Sequence, residues 1–266
     1  MKIPWKKSKG AETDGSHMSL IEHLVELRSR VTKCAAAVVV TGSVTYIVYE
    51  RIFRFVTHPY CDAIRKSRQH ASGCTLYGFS PLDGFALRMK VSGYGGLVLA
   101  LPVILWQLWR FIMPGLYKNE RRYTLVFVVS STVLFIAGAI LAYETLPAMI
   151  AWLLDAGGPI TTLSKAADYF WLSALMMGAF GLGFEFPLLL IALQLVGVLH
   201  NSALRKNRRY SLCAILLVVA VLTPGGDPIS TIALAVPMYL FYEFSILFGR
   251  IFERRKMKQA SVTAGV

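Results

Sequence analysis

Charge is scarce in this chain, and acid is scarcer still. Of 266 residues only 16% are charged, with 15 Asp or Glu against 28 Lys or Arg. At 55% hydrophobic residues and a mean hydropathy of +0.54, the polar surface is too small to enclose one water-soluble core. That excludes an ordinary soluble domain and points to an integral membrane protein. Catalytic signatures are missing too: the sequence has no HExxH, GxSxG, Walker A loop or CxxC. The five His residues (17, 23, 58, 70 and 200) are scattered over polar segments and membrane edges. A membrane protease or metalloenzyme needs a nucleophile and base, or paired ligands, at a shared depth, so no enzyme, metal or cofactor is expected. Nucleic acid is not an expected partner, because the net charge of +13 sits in short clusters beside apolar runs and no nucleic-acid motif accompanies it. The N-terminus lacks the apolar h-region and small-residue cleavage site of a secretory signal. Residues 1–18 are expected to be a polar tail, within which residues 15–18 read GSHM, in the manner of a cloning scar.

What the chain has in abundance is apolar length. A helix needs roughly 20 apolar residues to cross about 30 Å of hydrocarbon. Runs at about 31–50, 85–109, 123–146 and 169–197 meet that easily, 231–249 is just sufficient, and 210–222 offers only 13 residues. With six spans and the N-terminus inside, cytoplasmic segments hold twenty Lys and Arg against eight outside. Most of the eight lie in one long loop, where the positive-inside rule is weak. If 210–222 did not cross, the basic tail at 251–266 would be stranded outside. The expectation is an all-α polytopic membrane protein with both termini in the cytoplasm and local thinning of the bilayer around its short helices.

The few acids and cysteines then stand out. Glu185 lies near the centre of the fourth span and Glu243 within the sixth, and a lipid-facing carboxylate costs several kcal/mol. Each is expected to face other helices or a wet cavity, with a hydrogen-bonded neutral carboxyl as the plainer reading. Gly178, Gly181 and Glu185 share one helical face, which would let a backbone or extended peptide approach closely. At the other extreme of exposure, SLIEHLVELRSRV (19–31) reads as an amphipathic interfacial helix in which Glu26 can pair with Arg30. LYKNERRY (116–123) and LRKNRRY (204–210) open two spans with nearly the same letters, and only the first carries an acid, Glu120. Topology needs the basic residues and not that glutamate. Cys34 and Cys213 fall in apolar spans and read as buried small hydrophobes, whereas Cys61 and Cys74 share the long outer loop and are expected to form a disulfide.

HLVELRSR (23–30), FSPLDGFALRMKVS (79–92), LALPVILWQLWRFIMPGLYKNERR (99–122), FGLGFEFP (180–187), RRY (208–210), LTPGGDPIS (222–230) and AVPMYLFYE (235–243) together resemble the TatC subunit of the twin-arginine protein translocase. The matches run in order from about residue 19 to 250, and the block at 99–122 is the most specific. The resemblance implies six helices in a concave, glove-like arrangement with the last two short. It implies a receptor for Arg-Arg signal peptides of folded cargo that recruits single-span TatA- and TatB-type partners, self-associates and uses the proton-motive force. Carried over by position, Glu26 and Glu120 would receive the twin arginines, with Arg28 beside them. Phe111, Pro114, Leu116, Tyr117 and Arg121 would shape that site. Glu185 would lie in the concave face, Thr223, Pro224 and Asp227 where partner helices dock, and Pro59, Ser80 and Pro81 in the outer-loop framework. TPGGD is one residue longer than the TPPD-like form of some members, and Glu22 is an extra acid. The alternative from another class is a proton-coupled secondary transporter using Glu185, against which stands the lack of inverted repeats and of polar residues to line a path.

Overall fold

The computed structural model describes residues 20–66, 74, 76–112, 121–157, 165–223 and 226–263. Among these the chain is helical: α1 (Leu20–Ile47), α2 (Tyr49–Lys66), α3 (Pro81–Ile112), α4 (Arg121–Ala156), α5 (Ala166–Val196), α6 (Asn201–Lys206), α7 (Arg208–Leu222) and α8 (Pro228–Thr263). The only extended pairing in this set is the isolated bridge Tyr77 to Lys165. Four helices are long and apolar enough to cross a membrane singly, over Pro81–Phe111, Leu125–Ala156, Ala166–Leu195 and Pro228–Ile251. A fifth crossing is the bent pair of α1 and α2. The sixth expected span is α7, whose 15 residues rise only about 22 Å at 1.5 Å each. It is the shortest of the spans.

One departure from the expected layout concerns the segment after residue 50. Expected as loop, it folds as α2, bent by 81° from α1. The amphipathic stretch from residue 20 leads without a break into the span of α1, as expected. Arg88 of α3 holds the bend: its guanidinium donates to the Tyr46 carbonyl at 3.2 Å and lies over the Tyr46 and Tyr49 rings, 4.3 and 5.4 Å from their centroids. α2 then packs across α4 and α5 through aromatic pairs, Phe55 on Tyr143, Phe53 on Phe170 and Tyr60 on Tyr169. Pro59, fully buried within α2, has no N–H to offer the Phe55 carbonyl four residues back. The Tyr143 hydroxyl supplies that missing donor from α4, at 3.0 Å.

Helix crossings are close where side chains vanish. A Cβ on Gly96 of α3 would stand 2.6 Å from Gly42 Cα of α1, and one on Gly138 of α4 would stand 2.5 Å from the Phe180 carbonyl oxygen of α5. Small residues of this kind allow membrane helices to pack in van der Waals contact. The main core joins α2, α4, α5 and α8 around Leu146, Met149, Met176, Phe180, Leu234 and Tyr242. A smaller one gathers Leu105, Trp109, Phe127, Val128, Leu188 and Ala192. Many large apolar side chains face outward, among them Val39, Val133, Leu182 and Val221, as helices solvated by lipid require.

Candidate functional site

At one end of the molecule the start of α1 meets the end of α3. Arg30 bonds to the Glu26 carboxylate one turn earlier, donates to the Gln107 carbonyl at 3.0 Å and lies 5.6 Å from the centroid of the Phe111 ring. The Arg30 side chain is 11% exposed and that of Glu26 is 36% exposed, so the carboxylate sits at a polar rim and the guanidinium beneath it. Charge-assisted contacts of this kind gain strength where water is partly excluded. The expected pairing of Glu26 with Arg30 is therefore present, and Arg30 also binds Glu26 to the element that carries Phe111. Arg28 is exposed beside them. Pro114, Leu116, Tyr117 and Glu120 lie outside the described residues; Arg121 opens α4, with its side chain outside them.

A second polar locus crosses three helices. The Trp109 indole N–H of α3 donates to Ser131 Oγ of α4 at 3.2 Å, and that hydroxyl donates to Glu185 Oε2 of α5. Glu185 Oε1 is buried with no hydrogen-bond partner among the described residues. The small face expected around Glu185 is partly filled by the protein itself: Gly181 lies under the Phe135 ring of α4, where a Cβ would come within 2.6 Å. Gly178 has open space beyond it. Glu243 faces another helix, as expected of it. It pairs with Arg208 of α7 at 2.9 Å and accepts a long contact from the Tyr239 hydroxyl at 3.4 Å.

At the opposite end, Asp227 caps α8. Its Oδ2 accepts the Ser230 N–H at 2.6 Å, three residues on, while Pro228 takes the first helical position, where its missing N–H costs nothing. Thr223, buried, closes the α7 end by bonding its own helix at Val219 and the Thr231 hydroxyl at 3.2 Å. Pro224 lies outside the described residues. The start of α3 is held in the same way. Ser80 Oγ accepts the Leu82 N–H, and Asp83 reaches back to the Ser80 and Phe79 N–H groups, so that Pro81 begins α3 inside a capping box. Asp83 also pairs with Lys165 at 3.4 Å, tying α3 to the start of α5. Cys61 and Cys74 are bonded, with Cα atoms 5.1 Å apart. Cys213 is exposed and Cys34 half-buried, a correction to the expectation that both are core residues.

Sequence reasoning missed Arg30 as the link to Gln107 and Phe111, Ser131 and Trp109 as the partners of Glu185, and Arg208 as the partner of Glu243. It also passed over Arg88, although a basic residue inside the run 85–109 carries the same signal of intramembrane charge as the two acids.

Comparison with known proteins bears on these loci together. Residues 22–237 match the family described as Sec-independent protein translocase protein (TatC). A protein named Sec-independent protein translocase protein TatC from Frankia casuarinae is 39% identical over 256 residues, covering 94% of this chain and 70% of that protein. One of the same name from Deinococcus radiodurans is 31% identical over 247 residues, covering 92% and 90%. A crystal structure described as the twin-arginine translocase receptor TatC in DDM superposes with a TM-score of 0.70 at 31% identity, covering 86% of this chain and 99% of that one.

Proposed function

The chain belongs to the Sec-independent protein translocase (TatC) family, and we propose that it is the receptor subunit of a twin-arginine translocase in the cytoplasmic membrane. In this reading both termini are cytoplasmic, and the end formed by α1 and α3 binds the Arg-Arg signal peptides of folded cargo. Single-span TatA- and TatB-type partners join it, copies of the chain associate in the receptor complex, and the proton-motive force drives transport. The observation that carries the peptide site is the Arg30 link. It brings Glu26 and Phe111, from two separate stretches of matching sequence, to one polar rim. Family membership also displaces the transporter alternative, and the Ser131 and Trp109 contacts give Glu185 an interhelical role that needs no solute.

The physical logic is local charge reversal on a basic face. Lys118, Arg121 and Arg122 surround Glu120 in sequence, and Arg28 and Arg30 flank Glu26 on the other side. A peptide with two arginines is repelled by such a face unless carboxylates accept it. The planar guanidinium fork suits a carboxylate in a way an ammonium does not. Exposed ion pairs contribute only about 0 to 1 kcal/mol each, so binding draws on two arginines engaging together at a partly dry rim. The incoming guanidinium competes with Arg30 for Glu26. The apolar part of the signal peptide adds contact area along the helices.

Site-specific photocrosslinking from position 119, which leaves Glu120 in place, tests this, using Arg-Arg and Lys-Lys versions of one signal peptide. Strong adducts with Arg-Arg and their loss with Lys-Lys are expected, as is loss of adducts in Glu26→Ala carrying the same crosslinker. Equal adducts with both peptides would overturn the assignment.

A further inference from the structure

Where α6, α7 and α8 converge, Arg205, Lys206, Arg208 and Arg250 line one cavity of about 400 Å³ together with Ser202. Arg208 and Arg250 also line a second, of about 300 Å³, whose other walls are Glu243 and apolar residues of α8. Arg208 and Arg250 therefore line both spaces. Four cations so gathered repel one another, and the one carboxylate among the described lining residues, Glu243, is taken up by Arg208. The Arg250 guanidinium has no hydrogen bond or ion pair among the described residues, and its Nε is buried without an acceptor. A buried N–H left without an acceptor is costly, and beside three further cations it favours an oxygen anion.

The second cavity says which kind. Leu240, Phe244 and Leu247 lie at i, i+4 and i+7 on α8, are 61%, 67% and 50% exposed, and form a stripe that leads toward Arg250. Arg250 stands at the end of the apolar stretch Pro228–Ile251, where a crossing helix leaves the hydrocarbon. Cations at the rim with an apolar stripe running into the membrane match a phosphodiester headgroup with its acyl chain. A small soluble anion would use the cations and leave the stripe unused.

We propose that the α6–α7–α8 corner is a binding site for one anionic phospholipid, with Arg205, Lys206, Arg208 and Arg250 holding the phosphate and Leu240, Phe244 and Leu247 seating an acyl chain. The site is separate from the α1–α3 end and does not rest on the receptor reading. A lipid held there couples α6 and the base of α7 to α8, beside the point where the Tyr242 hydroxyl donates to the Leu204 carbonyl.

Native mass spectrometry of the full chain, delipidated and then titrated with dioleoylphosphatidylglycerol or dioleoylphosphatidylcholine, tests the site. One phosphatidylglycerol per chain is expected to bind well ahead of phosphatidylcholine. Arg205→Gln with Arg250→Gln should weaken it about tenfold or more, since each cation at a membrane surface contributes a several-fold effect. Arg250→Lys should retain most of the binding and shows that loss follows charge rather than misfolding. Arg51→Gln with Arg54→Gln, exposed on α2 and far along the chain, should bind as the unaltered protein does. Equal binding of the two lipids, or undiminished binding in the double variant, would overturn the proposal. Full displacement of phosphatidylglycerol by millimolar inorganic phosphate would overturn it as well, by showing a site for a free anion.

Discussion

Glu185 accepts at the end of a three-helix hydrogen-bond chain, and the choice of replacement decides which property is removed. Ser131 is fully buried, and its hydroxyl both accepts from Trp109 and donates to Glu185. Glutamine keeps an acceptor oxygen at the same reach, whereas alanine leaves the serine donor unmatched and opens a void. An unmatched buried hydroxyl costs about 1–3 kcal/mol before any cavity is counted. Glu185→Ala is therefore expected to lower the thermal unfolding temperature clearly and Glu185→Gln only slightly; equal and severe losses would mean that the fold depends on an ionised carboxylate rather than on the acceptor oxygen. Asp227 has a comparably local occupation. Its carboxylate caps α8 through Ser230, so a defect from removing it reports first on the helix end and only then on any partner helix docked there.

At the scale of elements, α2 is the part the sequence concealed. Apolar runs are legible because hydropathy needs no partner to be seen, and each of the six runs overlaps one of α1, α3, α4, α5, α7 and α8. Tyr49–Lys66 carries charges throughout and a proline at its centre, signals that ordinarily mark a loop. Its helix is completed by tertiary donors that no local pattern announces, above all the Tyr143 hydroxyl on the carbonyl that Pro59 leaves bare. The polar rim was half legible for a similar reason: Glu26 and Arg30 are one turn apart in sequence, but Gln107 and Phe111 reach them only through the packing of α1 on α3. If Tyr143 compensates Pro59, the two are energetically coupled. Tyr143→Phe keeps the ring stacked on Phe55 and should cost about 1 kcal/mol in a chain with Pro59. With Pro59→Ala, whose N–H can serve the Phe55 carbonyl, the same change should cost much less. A double-mutant cycle by denaturant unfolding should give a coupling of about 0.5–1 kcal/mol, and a cycle that closes to zero would mean the proline needs no compensation.

For the whole molecule, the question is what yields where α7 is too short. At about 22 Å it falls some 8 Å below the hydrocarbon thickness of an average bilayer. A short helix cannot gain reach by tilting, and α7 is fixed to α8 at both ends. At its base Ser211 Oγ donates to the Tyr242 hydroxyl at 2.8 Å, and at its other end the Thr223 and Thr231 hydroxyls meet above the Asp227 cap. Leu217 and Val221, 67% and 78% exposed, face outward between those ties. The lipid must therefore adapt, at fractions of a kcal/mol per Å of mismatch, which over this deficit amounts to about 1–4 kcal/mol. Stability in nanodiscs of phosphatidylcholine is expected to fall as the monounsaturated chains lengthen from C14 to C22. A stability that ignores chain length would mean that lipid does not bear the mismatch, and that protein covers Leu217 and Val221 in the assembled state.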